Sequence, residues 1–122
     1  MTTRLRTRIY IAGPISLGDP DDNVRRAAAV GLDLLAAGFA PLIPQLTHLI
    51  APDDVRGTVG YERWLESDLS FITVCDAVLR LPGESLGADR ETRWAESLGI
   101  PVFTSIEALK AHLPGDDDGT AQ

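Results

Sequence analysis

Four short apolar runs alternate along this chain with stretches whose apolar residues recur at helical spacing. That alternation constrains the fold more than any other feature. Residues 9–12 end at Gly13-Pro14, residues 39–43 end at Pro44, residues 77–81 end at Pro82-Gly83, and residues 100–103 form the fourth run. Between them, residues 23–37 place Val24, Ala28, Leu32 and Leu35 on one side of a predicted helix, with Gly38 as its stop signal. Residues 61–75 and 87–98 read as two further helices, the second ended by Gly99. Thr104-Ser105-Ile106-Glu107 has the spacing of a capping box for a last helix that ends near Leu113. Strand followed by helix, four times over, predicts a parallel sheet with helices on both faces. Continuously apolar strands agree, because parallel strands are buried on both sides. The expected fold is α/β: a three-layer, doubly wound parallel sheet of four to five short strands, Rossmann- or flavodoxin-like. Residues 1–113 form the expected single domain. The acidic stretch 114–122 is expected to be a disordered tail, and residues 44–59 a loop.

In open sheets of this kind ligands bind beyond the carboxyl ends of the strands. Three loops lie on that edge: 13–22, 44–60 and 82–87. They hold most of the chain's Gly, Pro and short polar residues.

Two carboxylates fall where an apolar residue is expected. On a wheel of about 100° per residue, Tyr61, Trp64, Leu65, Leu69, Ile72 and Cys75 share one arc of the 61–75 helix, and Asp68 lies inside it. In the 87–98 helix, Ala88, Trp94, Ala95 and Leu98 share an arc with Glu91 at its centre. An unpaired buried charge costs several kcal/mol, of order 2–7 for a polar group without partners, or is neutralised. Two such positions in one small domain point to an acid/base or nucleophile pair facing a pocket, with Trp64 and Trp94 as candidate lining. Competing readings are a local salt bridge for Asp68 and a solvated first-turn side chain for Glu91. Near a helix start the dipole favours an ionised Glu91, and apolar neighbours would shift Asp68 upward.

The balance of charge limits the partners. Net charge is −7 and the pI is about 4.6, which argues against a nucleic-acid polymer, whose binders need a basic face. No segment carries the ~18 apolar residues that span a bilayer, so no membrane partner is expected. The opening MTTRLRTRIYIAGP has too short an apolar run for a signal peptide. A single cysteine, Cys75, excludes an intramolecular disulfide and fits a reducing compartment. The expected location is cytoplasmic. Two scattered His and one Cys give no metal-ligand spacing. Asp19, Asp21 and Asp22 could hold Mg²⁺ or form a solvated acidic loop. No metal and no cofactor are expected.

Gly13, Ser16, Ser85 and Gly87 sit in strand-to-helix turns that can offer N–H groups and hydroxyls to phosphate, carboxylate or sugar oxygens. The first turn lacks both the dinucleotide G-x-G-x-x-G spacing and a P-loop Lys. His48, on the second loop, could contact a base or a sugar hydroxyl, or lie in solvent. His112 reads as surface.

Taken with their order along the chain, these residues resemble the nucleoside 2-deoxyribosyltransferase superfamily, which includes 2′-deoxynucleoside 5′-phosphate N-hydrolases. Tyr10-Ile11-Ala12-Gly13-Pro14-Ile15-Ser16 is similar to its opening motif, and small uncharacterised members share this form of it. Asp68-Leu69 with Cys75-Asp76-Ala77-Val78-Leu79 is similar to its central helix and strand. Ser85-Leu86-Gly87-Ala88-Asp89-Arg90-Glu91 matches its S-x-G-x-x-x-E signature. The resemblance covers about residues 9–103.

It implies cleavage of the N-glycosidic bond of a (deoxy)nucleoside or nucleoside 5′-monophosphate, with transfer to water or another base. Glu91 would be the nucleophile on the anomeric carbon. Asp68 would assist base departure or position the sugar, and Tyr10 would hold Glu91 or the sugar. Ser85 and Gly87 would bind the 5′ end. Phosphate-using relatives often carry a basic residue in the first loop, where this chain has Ser16, Leu17 and Asp19. The resemblance further implies a homodimer or higher homo-oligomer. Pro82 to Gly87 is also distantly similar to the P-G-G-x-G-T turn of nucleoside-monophosphate phosphoribohydrolases. A non-catalytic nucleotide-sensing module is a third possibility, since fold does not fix function.

Overall fold

The computed structural model describes residues 5–113 and Gly115. Most of the acidic tail expected at 114–122 therefore lies outside the described residues. The element order is β1 (Arg8–Ala12), α1 (Pro20–Ala36), β2 (Ala40–Leu42), α2 (Pro44–Thr47), a 3₁₀ segment (His48–Asp53), α3 (Tyr61–Ile72), β3 (Ala77–Arg80), α4 (Leu86–Ser97), β4 (Val102–Phe103) and α5 (Ile106–His112). The four strands form one parallel sheet in the order β2-β1-β3-β4. The doubly wound α/β architecture expected from the alternation is present, with four strands. None of the described helices is long and apolar enough to cross a membrane.

Alternation along the strands divides the core into two layers. Ile9, Ile11, Ala77 and Leu79 face Leu34 of α1 and Leu109 of α5. Tyr10, Ala12 and Val78 face Ile72 of α3 and Ala88 and Ala95 of α4. The strand order places β2 on one side of β1 and β3 on the other. The chain thus reverses its winding at β1, and the crevice of such a sheet opens at the strands' carboxyl ends there.

Three sequence expectations are corrected. The segment 44–59 is not a plain loop: Pro44 opens the four-residue α2, which runs into the 3₁₀ segment. The α1 stripe that faces the sheet is Asn23, Ala27, Gly31 and Leu34, one position away from the expected Val24, Ala28, Leu32 and Leu35. Leu32 is 66% exposed. Asn23 turns inward to donate to the Ile15 and Leu17 carbonyls, and Gly31 packs against Ile43, whose Cδ1 would have to shift from a Cβ placed 2.4 Å away. The third concerns α3, which ends at Ile72, three residues short of Cys75.

Side chains cap three of the helices, and the cap of α5 is Ser105, one position beyond the Thr104 of the expected capping box. Asp19 accepts from the backbone N–H groups of Asp21 and Asp22 at the start of α1, and Asp22 pairs with Arg26. The acidic run 19–22 is thereby a helix cap and an i,i+4 ion pair. Ser85 and Ser105 cap α4 and α5, each accepting from the N–H three residues on.

Candidate active site

A cleft of about 610 Å³ opens at the carboxyl edge of the sheet. Its walls come from the turn after β1, the start of α1, the α2–3₁₀ segment, one face of α3 and the first turns of α4. Of the sequence candidates, Gly13, Ser16, His48, Asp68, Ser85, Gly87 and Glu91 all line it. Tyr10 lies beneath, fully buried in β1, and its hydroxyl donates to Glu91 Oε2 at 2.9 Å. Trp64 lines the cleft, but Trp94 does not. The Trp94 indole N–H donates to the Leu69 carbonyl at 3.1 Å, which ties α4 to α3. Helical spacing alone cannot separate a pocket-facing aromatic from one that joins two helices.

Glycine at 13 is a packing requirement. A Cβ there would lie 3.0 Å from Leu81 Cβ and 3.3 Å from Gln45 Nε2. Gly83, at φ +116°, lets the turn after β3 close against Pro14. The turns after β1 and β3 are thus packed against each other.

Asp68 and Glu91 are 6% and 5% exposed. Both line the cleft, and Asp68 is near enough to raise the Glu91 carboxyl. Glu91 is the sixth residue of α4, past the bare N–H groups of the first turn. The expectation that the helix end keeps it ionised is overturned. Burial is the largest influence and, with Asp68 beside it, pushes the Glu91 carboxyl up to about 8, against the lowering effects of the Tyr10 hydrogen bond and the charge of Arg80. Burial and the same two carboxylates push the Tyr10 phenol upward. At neutral pH Glu91 therefore keeps its proton.

Asp68 has a second partner that breaks its apolar arc. His48 Nε2 lies 3.0 Å from Asp68 Oδ2, and the His48 ring packs on Trp64 with centroids 4.2 Å apart. His48 reaches Asp68 because the chain turns from α2 into the 3₁₀ segment at that residue.

Gln45 was missed by sequence reading. It is 1% exposed, lines the cleft, and its Oε1 is buried without a partner. A buried orphan acceptor is uncommon and costs about 1–3 kcal/mol. Such an atom at a cleft wall fits a ligand donor. A single amide in a segment without periodicity carries no signal in the sequence.

Among the described residues that line the cleft there is no Lys or Arg, while Asp21, Asp68 and Glu91 are acidic. Nearby guanidinium groups are engaged elsewhere: Arg26 with Asp22 and Asn23, Arg80 with Asp89 and the carbonyls of Leu81 and Gly83, Arg90 with Glu62. Ser85 Oγ accepts from Ala88 N–H, so its hydroxyl hydrogen is what it can offer a ligand. The described residues contain no group of three or more His, Cys, Asp or Glu side chains arranged to hold a metal ion.

Comparison with known proteins agrees with this architecture. The model of a family described as Domain of unknown function (DUF4406) matches residues 7–104. No curated protein matches the chain. Among solved structures, a 2-desoxiribosyltransferase from Leishmania mexicana is similar, with a TM-score of 0.58 and 24% identity over 79% of this chain. The match spans 61% of that protein's length. A 2-deoxyribosyltransferase from the psychrotolerant bacterium Bacillus psychrosaccharolyticus is similar at TM-score 0.58 and 22% identity, over 82% of this chain and 76% of its own. The fold is that of the deoxyribosyltransferases, as the sequence motifs imply.

Proposed function

The chain belongs to the DUF4406 family, and we propose that this member cleaves the N-glycosidic bond of a nucleoside by a retaining, two-step route. One observation carries the reading. Two buried carboxyls, one raised by the other, line a nucleoside-sized cleft, and the raised one is held by a buried tyrosine hydroxyl.

One proton suffices for the first step. As the substrate enters, the proton passes from Glu91 to Asp68, which leaves Glu91 as carboxylate. A Glu91 oxygen forms a bond to C1′ while the C1′–N bond breaks, its electron pair goes to the base nitrogen, and Asp68 gives that nitrogen the proton. Water or a second base then attacks C1′ and releases Glu91, returning a proton to Asp68. Dividing one displacement in two is the logic of covalent catalysis, and paired carboxyls do the same in retaining glycosidases. Tyr10 orients Glu91 and stabilises its charge. The Gln45 amide and the Trp64 ring suit a base, and the turn at Ser85 and Gly87 suits the 5′ end of the sugar.

The likeness to 2-deoxyribosyltransferases supports a nucleoside as substrate, and hydrolysis and transfer are both chemically open to this geometry. Leu17, Leu49 and Leu86 line the cleft and are exposed, which supports the expected homo-oligomer, with a second copy closing the mouth. The test is a chromatographic screen of nucleosides and 5′-monophosphates for released base, with and without an acceptor base, using wild type and Glu91→Gln. Base release by the wild type that is lost in Glu91→Gln supports the reading. No release across the panel, or full release by Glu91→Gln, refutes it.

A further inference from the structure

We infer that His48 is a positioning residue for Asp68, rather than a contact for the base or sugar. This rests on the reading of Asp68 and Glu91 as the acid and nucleophile.

His48 Nε2 is 3.0 Å from Asp68 Oδ2, and both side chains are largely buried. The direction of that hydrogen bond follows from proton counting. An Asp68 that delivers its proton toward the leaving base from Oδ1 has none on Oδ2, which can only accept from His48. Nε2 must then carry a hydrogen and donate it. The imidazole cannot swing away, because its ring packs on Trp64 at 4.2 Å, a residue one helical turn from Asp68 on the same face of α3. A bond at Oδ2 fixes the rotation of the Asp68 carboxyl, so that its remaining oxygen is held toward Glu91 and the leaving nitrogen.

The consequence is specific to proton delivery. When the C1′–N bond breaks, Asp68 must release its proton toward the base from a fixed angle. The same N–H stabilises the Asp68 carboxylate that results. Without His48 the carboxyl can rotate, and the acid step suffers while sugar binding does not. A base that departs without taking a proton makes no demand on this arrangement.

His48→Phe keeps a ring on Trp64 and removes the N–H. His48→Gln places an amide N–H near the position of Nε2. Each is compared with wild type on an ordinary 2′-deoxynucleoside and on substrates whose base leaves readily unprotonated, 7-methyl-2′-deoxyguanosine and 5-nitro-2′-deoxyuridine. For His48→Phe, kcat on the ordinary substrate should fall about 10- to 100-fold, a part of the roughly 10²–10⁴-fold that general acid catalysis supplies, because Asp68 itself remains. KM should change little, the activated substrates should lose far less, and His48→Gln should recover part of the rate. Equal losses on both substrate types, or a rise in KM with kcat intact, overturns the inference.

Nitrogen NMR of the imidazole at pH 8 decides the hydrogen bond without any turnover. A proton on Nε2 whose resonance moves in Asp68→Asn supports it. A bare Nε2 with the proton on Nδ1 overturns it. If the wild type releases no base from any substrate, the glycosidic reading fails, while the NMR result still rules on the His48–Asp68 contact.

Discussion

Burial of Glu91 has a consequence for stability that can be measured without a substrate. Its carboxyl sits at about 8 in the folded chain, against 4.5 as the ordinary value. A group raised on folding binds its proton more tightly in the native state. Its stabilisation is complete below the unfolded value and is lost as pH rises toward the folded one. Between pH 5 and pH 8 the loss amounts to roughly 3–4 kcal/mol, at 1.36 kcal/mol per pH unit. With a urea m-value of 1–3 kcal/mol per molar, the unfolding midpoint should fall by on the order of 2 M over that interval. Glu91→Gln mimics the protonated carboxyl. Its profile should stay flat, meet the wild type near pH 5 and lie above it at pH 8. Urea titrations followed by circular dichroism at pH 5, 6, 7 and 8 read this directly. A wild-type midpoint that is level or rises with pH, or a Glu91→Gln profile that keeps the slope, refutes the placement of Glu91 in a dry carboxyl pair. The window ends at pH 8 because Cys75, also raised by burial, contributes above it.

Three other outcomes are expected. Tyr10→Phe removes the hydroxyl that lowers Glu91, so the alkaline limb of kcat/KM should move to higher pH; the buried acceptor left behind should cost about 1–3 kcal/mol of stability in thermal unfolding. Gln45→Leu removes an orphan acceptor and should stabilise the ligand-free protein by about 1–2 kcal/mol while weakening nucleoside binding in calorimetry; a less stable variant with unchanged affinity would count against Gln45 as a ligand group. A 5′-monophosphate should show kcat/KM at least about tenfold below its nucleoside, since phosphate sites ordinarily supply Arg or Lys and this cleft lining has neither among its described residues; equal use of the two would show that the backbone N–H groups of the α4 turn suffice.

Much of the fold was legible because local rules agreed with one another. Three of the four strands are apolar runs stopped by Gly or Pro, and Ser85 sits where a cap belongs. Asp68 and Glu91 were visible because each breaks a helical apolar period, which only a charge in an otherwise regular pattern can do. Their electrostatics were not legible. The helix start suggested an ionised Glu91, but distance along the helix and burial decide its protonation, and both are tertiary facts. Bulk points to an α1 face one residue from the true one, because the buried positions Asn23, Ala27 and Gly31 are polar or small. Gln45 and the role of His48 were hidden for a simpler reason. The segment Pro44–Asp53 is too short and irregular for a period, and Asp68 is twenty residues away from His48 in sequence.

The central claim is that a Glu91 oxygen becomes bonded to the anomeric carbon. A 2′-fluorinated nucleoside slows the second step, so incubation followed by mass spectrometry of the intact protein and its peptides tests this most directly. The expected result is a mass increase of one fluorinated sugar, placed on Glu91 and absent in Glu91→Gln. Turnover of the unfluorinated nucleoside with no adduct, or an adduct on another residue, would contradict it.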